Sequence, residues 1–138
     1  MAGYSGTPLP KKLGIKEQFR VCLVGLPSEV ETELQNALAS CRAAKAREPL
    51  DFAMIFAKTG ADLERNVARL SPRLAAAGML WVSWPKKSSG VSTDLGEDQV
   101  RRIGLRAGLV DIKVCAVNDV WSGLKFVIPV KNRASRDS

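Results

Sequence analysis

Apolar runs and amphipathic segments alternate along this chain. Residues 19–24, 52–57, 79–84 and 111–117 are short and mostly apolar, the pattern of strands covered on both faces of a parallel sheet. Between them apolar residues recur at helical spacing. Thr7-Pro8 opens a short helix that Gly14 closes. A Ser28-x-x-Glu31 capping box starts a helix with Val30, Leu34, Leu38 and Cys41 on one face. Glu29, Glu31 and Glu33 open that helix and Arg42, Lys45 and Arg47 close it, the order its dipole favours. Thr59-x-x-Asp62 caps a helix with the stripe Leu63, Val67, Leu70 and Leu74; Ser71-Pro72 restarts or kinks it, and Gly78 ends it. Asp94-x-x-Glu97 starts another that buries Val100, Ile103 and Ala107, stops at Gly108 and keeps Arg101, Arg102 and Arg106 outside.

Residues 124–130 form a fifth strand, joined to the fourth by a turn too short for a crossover helix, so the pair is antiparallel. No further strand is expected between residues 30 and 50, and there is no internal repeat. The expectation is a single α/β domain over residues 1–130: a Rossmann-like, five-stranded, mostly parallel sheet with helices on both faces. Residues 131–138 are expected to be a disordered basic tail.

Each strand breaks into a polar, glycine-bearing or aromatic loop: Gly25-Leu26-Pro27-Ser28, Lys58-Thr59-Gly60, residues 84–90 and residues 118–123. With the first four strands parallel, these loops gather along one edge, where open α/β sheets bind their ligands. Trp84-Pro85-Lys86-Lys87 is the leading candidate, two lysines beside an indole suited to a phosphate or a base. Trp121 is expected as the opposite wall, with Asn118, Asp119 and Ser122 as polar contacts and Lys58 and Thr59 as a third contributor. The structural alternative is that both indoles cover the end of the core while the lysines are merely solvated.

Composition narrows the class. The 138 residues are 46% hydrophobic, enough for one domain with a core. No apolar stretch approaches the ~18 residues of a membrane helix. Nothing resembles a signal peptide, and Met1-Ala2-Gly3 is not a myristoylation signal, so a cytoplasmic protein without membrane contact is expected. Cys22, Cys41 and Cys115 read as buried thiols in a reducing compartment. With no histidine and no Cys-x-x-Cys pair, neither a metal nor a cofactor is expected. The formal charge is +7, of which residues 1–20 hold +3 and residues 131–138 hold +2. The ends are basic and the body nearly balanced, so nucleic-acid binding ranks behind a small anion or acidic partner.

Several motifs fail on context. Gly3-Tyr4-Ser5-Gly6 lacks the flanking strand, helix and histidine of a nucleophile elbow. Ser83-x-x-Lys86 and Lys58-Thr59-Gly60 echo penicillin-binding motifs in the wrong order. After the first strand, Gly25-Leu26-Pro27-Ser28-Glu29-Val30 stands where a dinucleotide-binding fold reads Gly-x-Gly-x-x-Gly. Pro27 removes a donor there and Glu29 adds negative charge.

Two resemblances follow from these residues. The run from Lys12 to Val21 (KLGIKEQFRV) resembles the entry to the first strand of class I S-adenosylmethionine-dependent methyltransferases. The C-terminal order of strand, helix and antiparallel pair is also similar to theirs. This implies that residues 124–130 insert between 79–84 and 111–117. The chain departs from that family in its degenerate glycine loop and in the absent ribose-binding acid. A nearer resemblance is to small bacterial proteins with a domain of unknown function. It rests on Gly3-Tyr4-Ser5-Gly6-Thr7-Pro8-Leu9, Trp81-Val82-Ser83-Trp84-Pro85-Lys86-Lys87 and Val120-Trp121-Ser122-Gly123-Leu124; it implies a fold and no activity. The leading reading is a non-enzymatic protein that binds a small anion or acidic partner. The alternatives are a divergent methyltransferase with Asp119 or Lys86 as base, and a protein-interaction module without a small ligand.

Overall fold

A computed structural model describes residues 6–136, so Met1 to Ser5, Asp137 and Ser138 lie outside the described residues. The helices are α1 (Leu9–Leu13), α2 (Ser28–Ala39), α3 (Gly60–Leu70) and α4 (Glu97–Arg106). The strands are β1 (Arg20–Val24), β2 (Arg42–Ala43), β3 (Leu50–Phe56), β4 (Leu74–Pro85), β5 (Val110–Ala116) and β6 (Trp121–Val127). They build one sheet in the order β2-β1-β3-β4-β6-β5. β2, β1, β3 and β4 run parallel, and β6 is antiparallel to both neighbours. The last strand therefore lies between β4 and β5, as the methyltransferase resemblance implies. The sheet has six strands rather than five. β2 escaped the sequence reading because it is two exposed residues with no apolar pattern, paired as Arg20 to Arg42 and Val21 to Ala43.

Alternation along β4 divides the core. Leu80, Val82 and Trp84 face α3 and α4, where Leu63, Val67, Leu70, Val100 and Ile103 meet them. Met79 and Trp81 face α1 and α2, against Leu9, Leu13, Val30 and Leu34. Each such side chain taken fully out of water contributes about 1.5–3 kcal/mol. The indole N–H of fully buried Trp81 donates to the Leu13 carbonyl at 2.9 Å and ties α1 to the sheet. Arg20 and Asp51 fix the start of β1 against β3 with contacts of 2.9 and 3.0 Å.

Local signals were misread where a glycine or a cap serves a tertiary contact. Ser28 is already inside α2 after an N-cap at Pro27, so its hydroxyl reaches only Glu29 and no capping box forms. α2 ends at Ala39, which leaves Cys41 and the three bases beyond it. Gly78 stops no helix. It lies in β4 at a register irregularity, where a Cβ would meet the Leu50 carbonyl, and Leu74 starts the strand instead of extending the α3 stripe. Asp94 does not cap α4: the N-cap is Gly96, and the Asp94 carboxylate accepts from the Gly60 N–H at 2.7 Å. Ala107 is exposed. Residues 130–136, expected to belong mostly to a disordered tail, form two 3-10 turns, with Arg136 donating to the Ser71 and Leu74 carbonyls. The three cysteines are free and half-buried. Burial pushes the Cys115 thiol pKa up, against the charges of Lys12 and Lys113. Among the described residues no helix is long and apolar enough to cross a membrane.

Candidate functional site

The carboxyl ends of β1 and β3 open into a cleft of about 580 Å³, lined by Gly25, Glu29, Phe56, Lys58, Asp62 and Trp121 among others. Gly25 has φ +71°, and a Cβ there would stand 2.8 Å from the Phe56 carbonyl. The β1 exit needs glycine because its backbone is left-handed and a side chain would run into that carbonyl. Phe56 and Trp121 meet edge to face, ring centroids 5.3 Å apart, and form an apolar wall. At the β3 exit Thr59 caps α3, its hydroxyl accepting from the Asp62 N–H at 3.2 Å. The Thr93 hydroxyl donates to the Lys58 carbonyl at 2.6 Å and holds the segment after β4 against this exit, which brings Val91 to the cleft.

Both signs of charge line the opening. Lys58 is exposed and enters no ion pair among the described residues. Asp62 accepts from Arg65 at 2.6 Å, and Glu29 lies in the first turn of α2. No group of three acid or thiol side chains that could hold a metal ion occurs among the described residues.

The structure separates the expected site residues. Lys58, Thr59 and Trp121 line the cleft. Trp84 does not face Trp121: it is buried on the α3/α4 side, whereas Trp121 belongs to the α1/α2 side. The two indoles cover opposite faces because Pro85, not Trp84, is paired with Trp121 across β4 and β6. Lys86 and Lys87 lie outside the cleft lining, although the Lys86 N–H donates to the carbonyl of Val120, a lining residue, at 2.7 Å. Asn118 shapes a turn: its side-chain amide oxygen Oδ1 accepts from the Val120 and Trp121 N–H groups at 2.9 and 2.8 Å. The Ser122 carbonyl accepts from the Ser83 hydroxyl at 2.7 Å, and exposed Asp119 is not part of the lining. Neither base considered for a methyltransferase, Asp119 or Lys86, is among the residues that line the cleft. Gly25, Glu29, Phe56 and Asp62 were not in the expected set. Gly25 at the end of an apolar run was the available signal.

No family model and no curated protein matches this chain. Solved structures do. LepI in complex with SAM is similar at a TM-score of 0.53 and 13% identity, over 88% of this chain and only 39% of LepI. Precorrin-6y C5,15-methyltransferase from Geobacter metallireducens is similar at 0.57 and 11% identity, over 88% and 86% of the two chains. Ribosomal protein L11 methylase from Lactobacillus delbrueckii subsp. bulgaricus is similar at 0.54 and 11% identity, over 87% and 74%. The fold is that of the methyltransferase-like Rossmann domains.

This likeness corrects the leading reading of the sequence. A non-enzymatic anion-binding protein rested on a Trp84–Lys87 site that the fold does not assemble. The solved structures that share its architecture include methyltransferases, and it is the fold that they show.

Proposed function

We propose that this chain is a divergent methyltransferase domain that binds S-adenosylmethionine in the cleft between the ends of β1 and β3. The observation that carries the reading is that cleft, which combines a turn glycine at the β1 exit, an aromatic wall and charges of both signs. Its volume of about 580 Å³ falls within the range of small-molecule sites, roughly 300–1,000 Å³. The ligand is a zwitterion with a further sulfonium charge. Lys58 would hold its carboxylate, Glu29 and Asp62 would attract its cationic groups, and Phe56 with Trp121 would border its apolar part. When bound, it supplies a methyl group activated for transfer. One element of a usual nucleoside site is missing: β2 is followed by Ala44 and Lys45, with no acid for a ribose. The nearest acid downstream, Glu48, is engaged by Arg42 at 2.6 and 2.7 Å. Affinity is therefore expected in the micromolar range or weaker. The resemblance to the small bacterial family with the Trp81–Lys87 and Val120–Leu124 motifs is part of the same proposal, and of those motifs Val120 and Trp121 line the cleft.

Calorimetric titration of the full chain with S-adenosylmethionine and S-adenosylhomocysteine tests this. Saturable binding of both, weakened tenfold or more by Lys58→Glu and by Gly25→Val, supports the reading. No heat and no thermal shift at millimolar ligand would overturn it. At about 100 times the dissociation constant the ligand should add about 2.7 kcal/mol of stability.

A further inference from the structure

Four lysines from four segments share the side of the sheet that carries α1. In the antiparallel β5–β6 pair, Lys113 lies directly opposite Lys125, a placement of like charges that works against the sheet. α1 adds Lys12 and the loop after it adds Lys16. The Lys113 amine donates to the Lys12 carbonyl at 3.1 Å and the Lys12 amine to the Ala116 carbonyl at 3.2 Å. Each amine keeps further N–H groups for an outside acceptor. The Lys125 amine stands 3.9 Å from the position a Cβ on Gly14 would take, at the edge of α1. Desolvation, then the charges of Lys113 and Lys16, push the Lys125 pKa down.

Among the described residues no acid pairs with this cluster. Neither α1 nor β6 carries a carboxylate, and the one acid of the connecting loop, Glu17, is exposed. Asp111 of β5 pairs with Phe126 on the opposite, α4 side and is held there by Arg101 at 2.8 Å. None of the four lysines lines the cleft.

We infer that this face docks the phosphate backbone of a nucleic acid. A lone phosphate calls for donors converging on one point, whereas these amines come from four segments and two of them, Lys16 and Lys113, are exposed. Repeated phosphates match separate amines. Phosphopeptide sites rely on clustered arginine forks, and the patch has none. A lipid surface asks for several apolar side chains among the cations, but exposed Val114 lies on the other face, beside Leu124, which leaves Ile112 by itself at the register irregularity next to Lys113. Lysines without an aromatic partner hold the backbone and read no sequence. The net charge of +7 draws polyanions from a distance.

Anisotropy of labelled homopolymer single strands and of a duplex, titrated with the full chain from about 50 to 200 mM salt, provides the test. Binding that falls steeply with salt and differs little between sequences is expected. Lys113→Gln with Lys125→Gln should flatten the log–log salt slope by about 1.4 for single strands and about 1.8 for duplex, two contacts' worth. The same double variant should unfold at or above the parent midpoint, because it relieves a like-charge pair; loss of binding would then not be loss of fold. Lys131→Gln should leave the slope unchanged. Four results would overturn the inference: no binding at the lowest salt, an unchanged slope in the double variant, a slope lost with Lys131 instead, or tighter lysine-dependent binding of anionic vesicles or a phosphopeptide.

Discussion

Replacement of Gly104 by alanine pits two effects of opposite sign against each other. In an exposed helix interior, glycine to alanine gains about 1 kcal/mol from backbone entropy. Gly104 lies in α4, buried against the fully buried ring of Phe126, and a Cβ built on it runs into three atoms of that ring. The ring sits between α4 and the sheet with no solvent to retreat into. Overpacking of this kind costs about 1–3 kcal/mol, and a direct overlap with a rigid ring belongs at the upper end. The net expectation for Gly104→Ala is a loss of about 1–2 kcal/mol. For a chain of 138 residues that lowers the thermal midpoint by roughly 3–10 °C. Urea and thermal unfolding followed by circular dichroism measure it. A second variant isolates the cause: with Phe126→Leu in the background the alanine should cost less, giving a coupling of about 1 kcal/mol between the sites. A midpoint for Gly104→Ala at or above the parent value, or strict additivity in the double variant, would refute the packing argument.

Three further outcomes follow from local contacts. Trp81→Phe leaves the Leu13 carbonyl without its indole donor, so it should cost about 1–3 kcal/mol in urea unfolding and speed amide exchange in α1 before other elements. The Arg20 side chain holds the Asp51 pKa below the ordinary 3.8. A depressed carboxylate contributes stability that is complete above the unfolded value and is lost as pH falls through the folded one. Asp51→Asn should therefore lower stability at neutral pH and flatten the stability curve below pH 3.8, measured by urea midpoints across that range. Glu48, held at about 2 by Arg42 and the Lys45 N–H, gives Glu48→Gln a parallel effect in the window below 4.5.

Much of the architecture was legible because burial writes itself into periodicity. β1, β3, β4 and β5, the parallel direction of the first four strands seen in the pattern, the antiparallel last strand and the buried stripe of α3 all follow from runs of apolar residues at strand or helix spacing. The Thr59 cap was readable too, since its partner N–H is only three residues away. β2 was not, because two exposed residues have no periodicity and exist as a strand only through pairing with β1. Gly78 and Asp94 imitated helix signals, yet each serves a contact with a residue distant in the chain.

The site divides along the same line. The sequence alone determined that loops would gather where parallel strands end, and Gly25, Lys58, Thr59 and Trp121 do meet there. Only the tertiary structure decided which face each side chain takes. A shift of one position along β4 sends Trp84 to the opposite side from Trp121, because strand side chains alternate with period two. It also decided where charge collects. Along the chain the body is nearly neutral, but register sets Lys113 against Lys125, and packing brings Lys12 and Lys16 beside them. Such proximity depends on which strand inserts between which, a property of the folded sheet and not of any local run of residues.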